Sequence, residues 1–246
     1  MRSQGSPVSR RVLLIGGLVI LALAVAGGGF YAYYFSGLRS APKQLTLTSP
    51  SPTASASPSG SDLAGTWTVG SGSVAGYRVN ELFVGTTSPH QAVARTSTVS
   101  GSVSVGGDTA GAYALNAITF SAGLAGLASV DTVAGRDVRL RDGVVSRSLN
   151  VQSFPQATFT ATSGSVPDTV SGSVVDLSVP GQLTIHGVTR SVTATAKAQL
   201  NGGRVEIAGS VPVDMTDYGV QPPQIGFTTV DSKVTVDFDL FLTKSP

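Results

Sequence analysis

Cysteine is absent from all 246 residues. That excludes disulfide staples, thiol nucleophiles and cysteine-ligated zinc, so stability has to come from a packed core. Histidine occurs only as His90 and His186, with no H-x-x-x-H or H-E-x-x-H spacing, and no metal site is expected. Charged residues make up only 12% of the chain. The arginines are scattered, with no Lys/Arg stripe and no interleaved aromatics, so the net charge of +2 does not point to nucleic acid. Serines are abundant, yet no G-x-S-x-G motif occurs. No catalytic residue and no cofactor is expected, and the reading is not that of an enzyme.

Valine, threonine, serine, alanine and glycine fill long stretches instead, a composition suited to short strands joined by tight turns. Ahead of these lies a different segment. Residues 1–11 carry Arg2, Arg10 and Arg11, and residues 12–35 are an uncharged apolar run ending in Phe30, Tyr31, Tyr33, Tyr34 and Phe35. A helix needs about 20 apolar residues to cross the hydrocarbon core, and aromatic rings favour its interfaces. The pattern predicts a cytoplasmic N-terminus over 1–11 and a single transmembrane anchor over 12–35. The rest is then an extracytoplasmic domain tethered to the cell membrane. Ala24-Val25-Ala26 offers the small-x-small form of a cleavage site, and cleavage there would make the rest a secreted protein. Residues 36–61 are a Pro/Ser-rich linker with prolines at 42, 50, 52 and 58, read as a disordered tether, and residues 62–246 are the folded domain.

Within that domain the apolar residues alternate. From Ser191 to Leu200 the even positions are apolar and the odd ones polar; Val234, Val236, Phe238, Leu240 and Leu242 share one face, although Phe241 breaks the polar side. Period 2 is the signature of a strand with one dry face. Similar stretches lie near 66–70, 73–84, 92–105, 112–121, 157–163, 169–186 and 204–215, punctuated by turns such as Gly106-Gly107-Asp108 and Asn201-Gly202-Gly203. Eight or nine such strands can close into an all-β barrel with no free edge, and about eight leave room for side chains or one ligand. Between Arg136 and Leu149 the alternation fails, which predicts a short helix or irregular excursion over a barrel mouth.

Several segments resemble the YceI-like family, the polyisoprenoid-binding or lipid-binding YceI-like domain. They are Trp67-Thr68-Val69 with Gly76-Tyr77-Arg78-Val79-Asn80-Glu81; Thr98-Val99-Ser100-Gly101-Ser102; and Gly135-Arg136-Asp137-Val138-Arg139-Leu140-Arg141 with Phe154-Pro155-Gln156-Ala157-Thr158-Phe159. The most specific is Gly181-Gln182-Leu183-Thr184-Ile185-His186-Gly187-Val188-Thr189-Arg190, and Asp217-Tyr218-Gly219-Val220 follows it. The resemblance covers about residues 63 to 244. It implies a lipocalin-like antiparallel eight-stranded barrel, exported, holding an isoprenoid-type lipid along its interior. An almost wholly apolar ligand needs few polar contacts, because burial at about 25 cal/mol per Å² supplies the driving force.

Candidates to line such a cavity are Phe83, Phe120, Leu140, Phe154, Phe159, Leu183, Tyr218 and Phe227, each equally a candidate for ordinary core packing. Trp67 is placed to plug one end, where its indole N–H needs a partner. Asp137 beside Arg136 and Arg139 reads first as an ion pair pinning the excursion. The sharper reading sets Arg136, Arg139, Arg141 and Arg190 at a barrel mouth to meet a pyrophosphate or other anionic head group. His186, at a strand end, is expected to be a hydrogen-bonded structural residue. The competing architecture is a non-catalytic extracytoplasmic interaction module whose barrel is filled by its own side chains. The sequence leaves oligomeric state open.

Overall fold

The computed structural model describes residues 41–48, 63–85, 89–107, 113–133, 137–166, 174–201, 203–223, 226 and 228–246. The apolar run 12–35, most of the linker, Arg136 and Phe227 lie outside these residues. Among the described residues no helix is long and apolar enough to cross a membrane.

Among the described residues twelve strands form one antiparallel sheet: β1 (Gly65–Val69), β2 (Val74–Phe83), β3 (His90–Thr96), β4 (Val99–Gly107), β5 (Tyr113–Gly123), β6 (Ala128–Ser129), β7 (Gln156–Ala161), β8 (Gly164–Val166), β9 (Val175–Ile185), β10 (Val188–Asn201), β11 (Arg204–Asp214) and β12 (Thr228–Lys244). They run in eight lanes. β1 and β2 are halves of one lane, both paired with β12, at Trp67↔Lys244 and at Val79↔Val234. β3 and β4 are halves of the next, paired with β2 and β1. β5, then β7 with β8, β9, β10, β11 and β12 follow in order. Because β12 pairs with β11 on one side and with β1 and β2 on the other, the sheet closes on itself. The closed barrel that the alternation allows forms, with the eight antiparallel lanes that the family resemblance implies.

The alternation decides which side chains face inward. Val234, Val236, Phe238, Leu240 and Leu242 of β12 belong to the core or pack on it, and the residues between them point away. Phe241 is on the outer face, where the Arg204 guanidinium stacks 4.1 Å above its ring, so a cation–π contact covers the break in polarity. The step between β1 and β2 is held by Ser73. Its hydroxyl donates to the Gly70 carbonyl at 2.8 Å and accepts from the Phe241 N–H at 2.9 Å, replacing ladder bonds that the step breaks.

β9 and β10 are joined by His186-Gly187, with φ of 52° and 75°. Two consecutive positive φ values match the type I′ hairpin turn, whose twist suits the flanking strands. A Cβ at position 187 would lie 2.5 Å from the Phe154 ring, so glycine is required for space as well as for φ. The signature stretch from Leu183 to Arg190 is therefore a hairpin tip.

Between β5 and β7 the chain leaves the barrel and builds α1 (Arg139–Ser148). It ends in a Schellman motif: Asn150 takes φ 46°, its N–H donates to Arg147 O at 3.0 Å, and the Val151 N–H donates to Ser146 O at 3.1 Å. Leu149 and Val151 are buried beneath it. The departure from alternation is thus a helix, and Gly143, a helix-weakening residue, sits exposed within it.

Residues 41–48 differ from the expectation of a free tether. They lie along the outside of the barrel, where Arg78 donates to Pro42 O at 2.6 Å and to Lys43 O, and Arg95 donates to Lys43 O at 2.8 Å. Further along, the Thr48 N–H donates to Glu206 Oε1 at 2.6 Å and Gln199 donates to Thr48 O at 2.9 Å. No apolar pattern announces this strap, because most of its bonds run from its backbone to side chains of the sheet.

Candidate functional site

The barrel interior is hollow. A narrow chamber of about 190 Å³ occupies the end where β12 finishes, with Leu63, Trp67, Leu115, Leu177 and Leu240 on its wall. A wider chamber of about 610 Å³ occupies the other end, between the start of β12 and α1. Ala75, Ala122, Ala157 and Val236 border both, so the two chambers adjoin across a boundary built largely from alanines. Trp67 is buried at the narrow end, and its indole N–H donates to Leu63 O at 2.8 Å. The polar handle expected of a plugging tryptophan is thereby satisfied.

The wide chamber opens beneath α1, and its rim carries the charged groups of the site. Glu81 points inward from the end of β2, as the alternation of that strand requires. Arg141 of α1 donates to Glu81 Oε1 at 2.5 Å and to Asp131 Oδ1 at 2.7 Å. His90 Nε2 lies 2.7 Å from Asp131 Oδ2, and the Val93 N–H donates to Asp131 Oδ1 at 3.1 Å. Burial, the largest influence on Asp131, raises its pKa, but the hydrogen bonds from His90, Arg141 and Val93 together outweigh it. The carboxyl is held well below the usual range. Tyr77, on the wall of the same chamber, is pushed the other way: burial raises its phenol, so it stays neutral and able to donate. Thr228 is inward-facing at the top of β12, and its buried hydroxyl has no hydrogen-bond partner among the described residues.

Glu81, His90 and Asp131 each bring one ligand atom within 4.8 Å of the others, the spacing of a small cation site. The Arg141 guanidinium already sits against both carboxylates, so a metal ion would have to displace it. The arrangement is chemically a closed ion-pair network that fastens α1 to the barrel. Asp142 adds to it by accepting from the Ser129 N–H at 2.9 Å and the Ser129 hydroxyl at 2.6 Å.

The predicted cavity residues divide. Phe120, Phe159 and Leu183 stand on the narrow chamber's wall; Phe83 and Leu140 stand on the wide one's. Phe154 and Tyr218 line neither. Phe154 packs edge-on against His186, with ring centroids 5.0 Å apart, and Tyr218 is buried in the core beside the β9–β10 hairpin. The Tyr218 carbonyl accepts from His186 Nδ1 at 3.2 Å, so His186 takes the hydrogen-bonded turn position expected of it. Phe227 lies outside the described residues.

Of the described head-group candidates, Arg141 lines the wide chamber and Arg139 and Arg190 do not. Arg139 is exposed and forks onto Asp137 at 2.9 Å, inside the excursion rather than across to the barrel. The pinning expected of that pair is done by Arg141. Arg190 is exposed and donates to the Thr189 carbonyl, and Arg136 lies outside the described residues. Sequence reasoning missed the Glu81–His90–Asp131–Arg141 network and Thr228. Only Glu81 carried a signal, a carboxylate at an inward-facing position of an alternating strand.

The model of the YceI-like domain matches residues 68–242, the whole barrel apart from its outermost residues. The chain belongs to the YceI-like family. Curated relatives of this YceI-like chain include the Protein YceI of Salmonella arizonae and that of Salmonella newport. Each is 45% identical over 75 residues, 30% of this chain and 35% of the relative, so the match spans about a third of the length of these relatives. Among solved structures, a polyisoprenoid binding domain from Saccharophagus degradans, implicated in plant cell wall breakdown, superposes with a TM-score of 0.51. It is 18% identical, with 73% of this chain and 98% of that domain covered. At that identity the likeness is one of fold.

Proposed function

We propose that this YceI-like chain holds or carries a long-chain amphiphile, of the polyisoprenoid kind that the Saccharophagus degradans domain is named for, inside its barrel. The apolar run 12–35 tethers it to the membrane with the barrel on the extracytoplasmic side. The observation that carries the binding reading is the hollow itself: two largely apolar chambers of about 190 and 610 Å³ that adjoin across a boundary of mostly alanines. Together they fall in the size range of small-molecule sites, and a barrel filled by its own side chains would have no such volume. Burying an isoprenoid tail against these walls gains about 25 cal/mol per Å² without any polar contact.

The head of the ligand stays in the wide chamber, among Tyr77, Thr228, Glu81 and Arg141. Arg141 is already paired to two carboxylates, and Asp231 adds negative charge to the wall. An uncharged head that accepts or donates a hydrogen bond suits these groups better than a pyrophosphate does.

The test is direct. The full chain, purified from membranes in mild detergent, is extracted with organic solvent and the extract is weighed by mass spectrometry. One long-chain lipid per barrel is the expected result. A barrel that comes out empty, and that takes up no added isoprenoid alcohol or quinone, would end the proposal.

A further inference from the structure

Large apolar side chains that stand exposed are few among the described residues, and they are unevenly placed. Leu82 is 42% exposed, Val84 74%, Val130 43% and Leu140 76%. All four sit at the wide chamber's end, and among the described residues only Val174 stands exposed at the other.

Their exposure follows from the ion-pair network. Leu82, Val130 and Leu140 are the chain neighbours of Glu81, Asp131 and Arg141, whose side chains turn toward one another. Successive residues of a strand point to opposite faces, so drawing Glu81 in turns Leu82 out. Val84 continues from the tip of β2. Leu140, next to Arg141 on the first turn of α1, borders the chamber and the solvent at once. The result is four exposed apolar side chains at the end where the wide chamber and its charged network open, the kind of exposure that marks an interaction surface.

The strap indicates what the rim faces. Followed back from Thr48 to Pro42, the chain climbs from Gln199 and Glu206, beside the narrow chamber, to Arg78, beside the wide one. Residues 36–41 then connect it to the apolar run, a reach of about 20 Å at full extension. Strand β2 needs about 17 Å to go from Arg78 to Phe83 at the rim. Resting on the reading of residues 12–35 as a membrane anchor, this short connection keeps the wide end of the barrel within reach of the bilayer surface.

We infer that the rim of the wide chamber docks on the lipid bilayer, with Leu82, Val84, Val130 and Leu140 seated in its interface. A ligand then passes between bilayer and cavity without its tail crossing water. Interfacial seating of this kind draws on buried apolar area and leaves the narrow, Trp67-plugged end in solvent.

The absence of cysteine makes the test simple. Full-length chain carrying Val84→Cys, Leu140→Cys or Val174→Cys is labelled with an environment-sensitive dye and reconstituted into phosphatidylethanolamine/phosphatidylglycerol vesicles. Some of the lipids carry a quencher on the acyl chain. Quenching about fivefold or more stronger at 84 and 140 than at 174 is expected, from an interfacial depth of about 5–10 Å. Equal quenching at both ends, or none at the rim, would overturn the docking. So would rim labels shielded by a second copy of the chain, detected as energy transfer between labelled molecules. Alkaline carbonate extraction of the same vesicles reads the anchor separately. Retention with unquenched rim labels ends the docking and keeps the anchor; release with quenched rim labels ends the anchor and keeps the docking.

Discussion

Arg141 and Asp131 are joined by two hydrogen bonds, Nη1 to Oδ1 at 2.7 Å and Nη2 to Oδ2 at 3.2 Å. A fork of this kind, buried on the carboxylate side, fixes orientation as well as distance. Replacing Arg141 with alanine leaves Glu81 and Asp131 buried without their cation, and removing one partner of such a pair costs about 3–5 kcal/mol. Arg141→Ala is expected to lower the free energy of chemical unfolding by that amount, and Arg141→Lys, which cannot fork, to recover only part of it. Unchanged stability in Arg141→Ala would show that the network does not hold α1.

Acid should act on the same network. The folded-state pKa of Asp131 lies below its unfolded value of 3.8, so the carboxylate contributes stability above that pH and loses it as pH falls through the folded value. Asp131→Asn is expected to flatten the acid limb of a stability–pH curve below about pH 4. An acid limb identical to that of the parent would remove Asp131 as its source.

Arg139 makes the contrasting prediction. Its pair with Asp137 is exposed and local, and the Arg139→Ala variant should leave stability and the binding of an isoprenoid alcohol unchanged. Binding of the matching pyrophosphate should also be unchanged, measured side by side by fluorescence competition. A selective loss for the pyrophosphate would restore Arg139 as a head-group contact.

What was legible in the sequence follows the range of each interaction. The strands at 191–200 and 234–242 could be read because alternation is local, and eight or nine of them allow closure, whereas the count of eight came with the family resemblance. α1 showed only as a failure of alternation, since a ten-residue helix with a glycine inside carries little periodic signal. Glu81, His90, Asp131 and Arg141 could not be assembled, because they come from different elements as much as 60 residues apart. The same holds on the outer face, where Arg78 meets fully buried Asp237 across 159 residues at 2.9 Å. Both members sit at ordinary polar positions of their strands, and nothing local announces the strap whose Pro42 and Lys43 carbonyls accept from Arg78.

Asp239 lies on that outer face, two residues from Asp237. Burial raises its carboxyl first, the nearby Glu206 carboxylate adds to the rise, and Arg204 and Arg95 only partly offset it, so its pKa stands at about 6. A folded pKa above the unfolded 3.8 means the protonated form is favoured in the fold. The group's stability contribution is full below about pH 4 and is lost as pH rises through about 6. Asp239→Asn is therefore expected to stabilise the barrel at pH 7.5, by about 1–2 kcal/mol after solvent screening, and to make no difference at pH 4. Thermal unfolding at the two pH values checks it, and destabilisation at pH 7.5 would contradict the sign.

The alanine boundary between the chambers offers the sharpest check on whether a ligand passes from one to the other. Ala157 borders both chambers, and its partner across β5 and β7 is Ala122, which borders both as well. Phenylalanine at 157 would fill that boundary and separate the two chambers. A long isoprenoid that crosses it in the parent then loses the narrow chamber's walls, and its affinity should fall about tenfold or more, the equivalent of about 1.4 kcal/mol. A short analogue housed in the wide chamber alone should bind as before. Ala117→Phe, exposed on β5, serves as the control for the added ring. Equal affinities of Ala157→Phe and the parent for the long ligand would place its tail in the wide chamber only, whereas equal losses for long and short ligands would mean the variant damages the barrel.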